Sequence, residues 1–210
     1  MSRIMSLAGD RDGALEAAAK AIGEGGLVVF PTDTVYGVGG DAFNQFATSR
    51  IFEVKARPRS MPLPVLVSRP RQAWALCSEV PRAAAELAAA FWPGGLTLIL
   101  PEADGLSLDL GDTKGRIAVR MPAHDDLIEL IAMVGPLAAT SANLSGLDTP
   151  VTVKEIRAQL GDGVSVYLDG GAGATVDVPS TIVDVTRRRP KVVREGAVSK
   201  ADIDRALGGV

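Results

Sequence analysis

Lys55-Ala56-Arg57-Pro58-Arg59-Ser60-Met61-Pro62-Leu63 sets three cations, Lys55, Arg57 and Arg59, within five residues. Pro58 and Pro62 stiffen the segment that carries them. Upstream, Asn44 to Lys55 has the spacing of a helix, with Phe46, Ile51 and Phe52 expected to face inward. Downstream, the apolar run Leu63 to Val67 is expected to be a buried strand. Taken alone, such a loop is more often a solvated basic surface than a ligand site. Set between a helix and a buried strand, it is also where an anion could be held, and the rest of the chain decides between these readings.

The chain has 210 residues, 47% apolar but only 4% aromatic, so its core must be built from Ala, Val, Leu and Ile. A net charge of -3 argues against non-specific nucleic-acid binding by the whole surface and leaves room for a local basic cleft. The single Cys77 excludes an intramolecular disulfide and a cysteine metal cluster. No long apolar segment follows the N-terminal basic residue, and no run reaches the length of a membrane span. A soluble cytoplasmic protein without a membrane partner is expected.

Apolar strands and helical periodicities alternate along the chain. Helices are expected over Asp10 to Glu24, Asn44 to Lys55, Pro81 to Phe91, His124 to Met133, Thr152 to Leu160 and Ala201 to Leu207. Thr152 with Glu155 is a capping-box pattern. Strands are expected at Leu27–Phe30, Leu63–Val67, Leu96–Leu100, Ile117–Met121, Leu137–Thr140, Val164–Leu168, Thr181–Thr186 and Val192–Val193. The polar stretch Glu102 to Lys114 reads as an exposed connection, and Thr32 to Gly37 as a polar loop. Such alternation, without repeats or linkers, describes one α/β domain. Strands that are mostly apolar on both faces fit a sheet covered by helices, and the closing β-pair makes that sheet mixed.

A recurrent event is visible at the strand ends. After Phe30, near Lys55–Leu63, at Arg120, after Thr140, around Ser180 and at Arg194, an apolar run gives way to hydroxyls, glycine or arginine. Open α/β sheets collect ligands at strand ends, where hydroxyls and backbone N–H groups can meet an anion. No Walker-type phosphate loop is present, and Gly170-Gly171-Ala172-Gly173 lacks the spacing of a dinucleotide fingerprint. One histidine, expected at a helix N-terminus, and one cysteine support neither a Ser-His-Asp arrangement nor an ordinary zinc site.

Seven motifs stand in register from about residue 12 to residue 200. They are Pro31-Thr-Asp-Thr-Val-Tyr-Gly37, Lys55-x-Arg57-Pro with Pro62-Leu63, Trp92-Pro-Gly-Gly-Leu-Thr97, Val119-Arg-Met-Pro-Ala-His124, Thr140-Ser-Ala-Asn-x-Ser-Gly146, Pro179-Ser-Thr-Ile-Val-Asp184 and Val193-Arg-Glu-Gly196. Together they resemble the YrdC-type L-threonylcarbamoyladenylate synthases. The resemblance implies a single YrdC-like domain over 1–210, the short form without the further C-terminal domain that some members carry. It implies a twisted mixed α/β sheet with a concave basic cavity. It also implies a nucleotidyltransferase that joins L-threonine, bicarbonate or CO2 and ATP into threonylcarbamoyl-AMP, releasing pyrophosphate. Downstream threonylcarbamoyl transferase proteins would then modify adenosine 37 of tRNA.

Site residues follow from the same resemblance. Lys55 and Arg57 would be catalytic and meet the phosphates, with Met61, Arg116, Ser141, Asn143, Thr149 and Arg194 also on the ATP. Thr32, Thr34, Tyr36, Arg120, Ala139 and Ser180 would meet threonine, Arg120 through the substrate carboxylate. Ser145 is a further residue near the nucleotide. Mg2+ would arrive on the ATP phosphates, near Ser141 and Asn143. Some positions depart from the family pattern: many members carry Asn at Met61, His at Leu66, Pro at Thr140, Glu at Pro179 and Pro at Glu195. Met61 and Leu66 cannot make the hydrogen bonds of Asn and His. Two other functions fit a basic concave face. One is a non-catalytic module for double-stranded RNA or tRNA. The other is a related carbamoyl-adenylate-forming enzyme of the hydrogenase-maturation type, whose chains carry zinc-binding and acylphosphatase-like domains. Arg187-Arg188-Arg189 reads as a solvated turn rather than an RNA contact, and the stretch Gly170 to Val178 could close over a site.

Overall fold

The apolar runs pair into one mixed sheet. A computed structural model describes residues 2–171, 176 and 178–208. In chain order the elements are β1 (Arg3–Ser6), α1 (Arg11–Gly23), β2 (Val28–Phe30), β3 (Gly37–Asp41), α2 (Gln45–Val54), β4 (Val65–Leu66), α3 (Pro70–Trp74), α4 (Arg82–Phe91) and β5 (Leu96–Pro101). They continue with β6 (Arg116–Arg120), α5 (Asp125–Val134), β7 (Leu137–Ser141), α6 (Val153–Leu160), β8 (Val166–Asp169), β9 (Thr181–Asp184), β10 (Lys191–Arg194) and α7 (Lys200–Ala206). The strand order is β1-β8-β2-β3-β7-β4-β6-β5-β9-β10. Parallel pairs, such as β5 with β9, alternate with antiparallel ones, such as β3 with β7 and β9 with β10. The expected mixed sheet is therefore found.

Strand alternation sorts the core into two layers, because successive side chains leave a strand on opposite faces. On one face Val29, Val38, Val65, Leu98, Val119 and Val183 join buried side chains of α2, α3, α4, α6 and α7. On the other, Val28, Phe30, Leu66, Leu137, Ala139 and Val166 pack against α1 and α5. The second face is covered over only part of the sheet. Beyond β4 and β7, its alternate residues Thr97 and Ile99 of β5, Ala118 and Arg120 of β6, and Ile182 and Asp184 of β9 line a cavity instead. The sequence suggested helices over both faces, whereas the structure leaves this half of one face open.

Local chemistry accounts for the helix ends. Asp10, Asn44, Thr152 and Ser199 each accept backbone N–H bonds at an N-cap, and the Thr152 hydroxyl also donates to the Glu155 carboxylate. Several expectations change. The strand expected over Leu63–Val67 shortens to Val65–Leu66. Gly37–Asp41, where no strand was expected and whose Gly37 was read as the end of a loop, is a strand between two antiparallel partners. Its glycines permit the fit: a Cβ on Gly39 would stand 2.5 Å from the Ala138 carbonyl oxygen. Phe46, expected inside, is 65% exposed because it sits in the first turn of α2 on the solvent side, where the Arg50 guanidinium lies 5.7 Å from its ring centre. The Glu102–Lys114 connection is only partly exposed. Leu110 is buried in it, the Leu63 N–H donates to the Leu110 carbonyl at 2.8 Å, and the Asp112 N–H to the Arg59 carbonyl at 2.9 Å. The connection thus braces the Lys55–Leu63 loop from outside. No helix among the described residues is long and apolar enough to cross a membrane.

Candidate active site

The open half of the sheet floors a cavity of about 1200 Å3. Among the described residues its lining carries eight Lys or Arg and three Asp, an excess that favours an anionic occupant. The structure brings all fourteen site residues named from the sequence to this one lining: Thr32, Thr34, Tyr36, Lys55, Arg57, Met61, Arg116, Arg120, Ala139, Ser141, Asn143, Thr149, Ser180 and Arg194. Ser145 and Leu66 line it as well.

Lys55 follows the last turn of α2 and is buried, with its ammonium turned onto oxygens of the segment after β7. It donates to the Ser141 and Asn143 carbonyls and, at 3.4 Å, to Asn143 Oδ1. Burial, and then the Arg57 charge, pull its pKa down to about 7. Asn143 is engaged on both sides of its amide. Its NH2 group donates to the Leu144 carbonyl at 2.8 Å and the Leu147 carbonyl at 2.6 Å, and its oxygen accepts from the Thr149 hydroxyl at 3.2 Å. Lys55 and Asn143 therefore build the 141–149 segment before they meet any ligand. The Asn143 side chain, expected beside Mg2+, has its hydrogen bonds within its own loop and with Lys55.

Arg57 reaches the cavity with its guanidinium held by the Met61 carbonyl at 2.8 Å and the Pro62 carbonyl at 3.1 Å. Burial, and then Arg194, lower its pKa from the ordinary arginine value. Arg59 turns away to pair with Asp109 and lies over the Phe52 ring at 4.9 Å.

Arg120, at the end of β6, is 7% exposed. Its Nε donates to the Gly94 carbonyl at 3.0 Å, Nη1 to the Thr34 hydroxyl at 2.8 Å and Nη2 to the Asp33 carboxylate at 2.6 Å. The Thr32 hydroxyl caps its own loop, donating to the Val35 carbonyl at 2.7 Å and accepting the Thr34 N–H at 3.0 Å. The buried Tyr36 hydroxyl accepts the Gly170 N–H at 3.1 Å; burial raises its pKa despite that bond. Arg194 grips the Ser180 carbonyl through Nε at 3.1 Å and Nη2 at 2.7 Å, and the Ser180 hydroxyl lies 2.9 Å from that of Thr97. Gly95, in the motif leading into β5, has no room for a side chain, since a Cβ there would meet Ala197 at 2.6 Å.

Of the outer wall, Arg116 was named from the sequence, whereas Asp184 and Arg187 were not expected there. Asp184 is 3% exposed and pairs with Arg187 at 3.2 Å and Arg116 at 3.5 Å. Burial pushes its carboxyl up, but Thr186 hydrogen bonds and then Arg187 and Arg116 hold it below the usual range. The period-two alternation of Arg116-Ile-Ala-Val-Arg120 carried a signal for this wall, since its two arginines recur on one strand face. Asp33 is a second omission, considered below. His124 occupies the N-cap position of α5 but makes no capping bond, and it is not among the lining residues. The closing stretch expected over 170–178 falls largely on residues outside those described.

Fold and cavity define an α/β protein with a cation-rich cavity over the open half of a mixed sheet. A family model described as Sua5/YciO/YrdC, telomere recombination, matches residues 20–196, and the chain belongs to this family. A Mycobacterium tuberculosis relative, provisionally named a threonylcarbamoyl-AMP synthase, is 46% identical over 94% of this chain and 91% of its own length. The threonylcarbamoyl-AMP synthase of Pyrococcus abyssi is 37% identical over 93% of the chain, which spans 58% of that relative. The crystal structure of P. abyssi Sua5 complexed with L-threonine superposes with a TM-score of 0.92 at 36% identity, over 100% of this chain and 62% of that one.

Proposed function

We propose that this chain is an L-threonylcarbamoyladenylate synthase, making threonylcarbamoyl-AMP and pyrophosphate from L-threonine, bicarbonate or CO2, and ATP. The observation that carries this reading is the convergence of the fourteen named residues, ten of them from the motifs, on one cation-rich cavity. The reaction gathers a triphosphate, a carboxylate and a carbamate. Such charges repel strongly in a partly buried site unless cations and dipoles answer them.

In this reading, Arg120 and the Thr32–Tyr36 loop take the threonine, with Ala139 beneath and Ser180 beside it. Arg57, Lys55, Arg116 and Arg194 take the nucleotide, with Met61, Ser141, Asn143 and Thr149 around it. The threonine amine attacks CO2, losing a proton to form the carbamate. A carbamate oxygen then forms a bond to the α-phosphorus as the bond to pyrophosphate breaks. The Arg57 guanidinium answers the charge that gathers on the leaving pyrophosphate. Among the described residues the lining holds no His and no Glu, and its buried Asp184 is committed to Arg116 and Arg187, so positioning and charge neutralisation carry most of the acceleration. Among the described residues, no three His, Cys, Asp or Glu gather to hold a metal. That donor set would fit a Mg2+ carried by the phosphates, near Ser141 and Asn143, better than a protein cage. Mg2+ would supply further charge neutralisation on the phosphates. The product then passes to threonylcarbamoyl transferase proteins that act on tRNA.

Replacement of Arg57 by Ala is expected to abolish pyrophosphate release while circular dichroism shows the fold intact. Release that depends on threonine and bicarbonate and persists undiminished in the variant would sink this role. In the wild type, release should stop when threonine, bicarbonate, ATP or Mg2+ is omitted in turn. RNA binding that weakens with salt, without any turnover, would favour the binding-module alternative.

A further inference from the structure

We propose that Asp33 is a positioning residue, which aims the Arg120 guanidinium from behind the cavity wall and thereby sets the grip on an amino-acid carboxylate. The inference rests on the reading of Arg120 as the carboxylate partner and deepens it.

Thr34 and Arg120 line the cavity; Asp33, between them in the network, is not in its lining. Asp33 Oδ1 accepts from Arg120 Nη2 at 2.6 Å and from the Ala123 N–H at 2.9 Å. The second bond ties the carboxylate to the connection between β6 and α5, so the anchor of the arginine is itself anchored. Among the described residues, Asp33 is the carboxylate paired with Arg120. With Gly94 and Thr34, it commits three of the five N–H donors that a guanidinium offers. Two donors remain, and their directions are fixed because the group is planar.

Charge gives Asp33 a second task. Arg194 opposes the charge on Arg120, and Asp33 offsets it. Without that carboxylate, a buried cation would face a second cation across the site and turn from its aim. Asparagine at position 33 could still accept one N–H bond but would offset no charge. The effect should fall on the amino acid that Arg120 meets and spare the nucleotide, which the resemblance assigns to other residues.

The test is titration calorimetry of L-threonine and, separately, of ATP into the wild type, Asp33→Asn, Arg120→Gln and the double variant. Asp33→Asn should bind threonine about tenfold more weakly, in line with the loss of a partner that orients a ligand. Its ATP affinity should change by less than about twofold, the reproducibility expected of an uncoupled site. The double variant should bind threonine no more weakly than Arg120→Gln alone, because Asp33 acts only through Arg120. If Asp33→Asn alone fails to fold, this last comparison still decides, since the double variant removes the buried pair together. Equal loss of threonine and ATP affinity, no loss at all, or a further loss in the double variant would overturn the proposal. A pyrophosphate assay on the wild type separates the two ideas. Threonine binding without threonine-dependent release would sink the synthase reading and leave the role of Asp33 standing. A wild type that binds no threonine overturns both.

Discussion

Lys55 shows how a residue visible in the sequence takes its role from partners far along the chain. Its ammonium meets carbonyls 86 and 88 residues away, at Ser141 and Asn143. With a folded pKa pulled from 10.5 down to about 7, the group is neutral in the folded chain and protonated in the unfolded one across that window. The unfolded state then binds more protons, so the Lys55 contribution to stability rises with pH through the window; below it the penalty of a buried charge is fully present. Urea unfolding of the wild type and of Lys55→Met should therefore diverge, the wild type gaining relative stability from pH 7 upward. A difference that stays flat or falls would show that the ammonium keeps its proton. The family resemblance, rather than spacing, marked Lys55 and Arg57 as candidates. It could not tell that Lys55 is turned to backbone carbonyls, because no local pattern encodes a contact across the sheet. Arg59, chemically similar and two residues on, leaves the site because Asp109 and the Phe52 ring hold it elsewhere.

At the scale of elements, β3 was hidden by its composition. Gly37, Gly39 and Gly40 lower strand propensity, yet close neighbours demand them: a Cβ on Gly37 would stand 2.6 Å from the Phe30 ring. Gly39→Ala should destabilise the protein by about 1–3 kcal/mol, since backbone rather than a flexible side chain must yield. Gly23, in the last turn of α1, has nothing within 4 Å of a Cβ. Gly23→Ala should stabilise by about 0.4–1 kcal/mol by restricting the unfolded chain. Denaturant midpoints that move in the same direction for both variants would contradict this account. Helices were more legible than strands. Asn44 and Thr152 announce their helices through side-chain capping, a local interaction, whereas the two-residue β4 exists only through β6 and β7.

For the whole molecule, a slight net negative charge of -3 conceals a cavity lined by eight cations and three carboxylates. Exposed charge is screened within about 8–10 Å at ordinary ionic strength, and buried charge much less. Arg116, placed on the nucleotide, exposes 42% of its side chain, while Arg120 exposes 8%. ATP affinity should therefore fall steeply as sodium chloride is raised, and threonine affinity should fall less. Equal slopes for the two ligands in calorimetry would place them on equally solvated cations. Sequence by itself determined the α/β class, most of the elements and the residue types of an anion site, because propensity, capping and strand-end chemistry are local. Tertiary structure decided which half of one sheet face stays uncovered, and that the ammonium of Lys55 and the carboxylates of Asp33 and Asp184 act on neighbouring groups from behind or beside the cavity. Those outcomes depend on side chains that meet across the sheet, and the separation of such partners along the chain leaves no periodic signal to read.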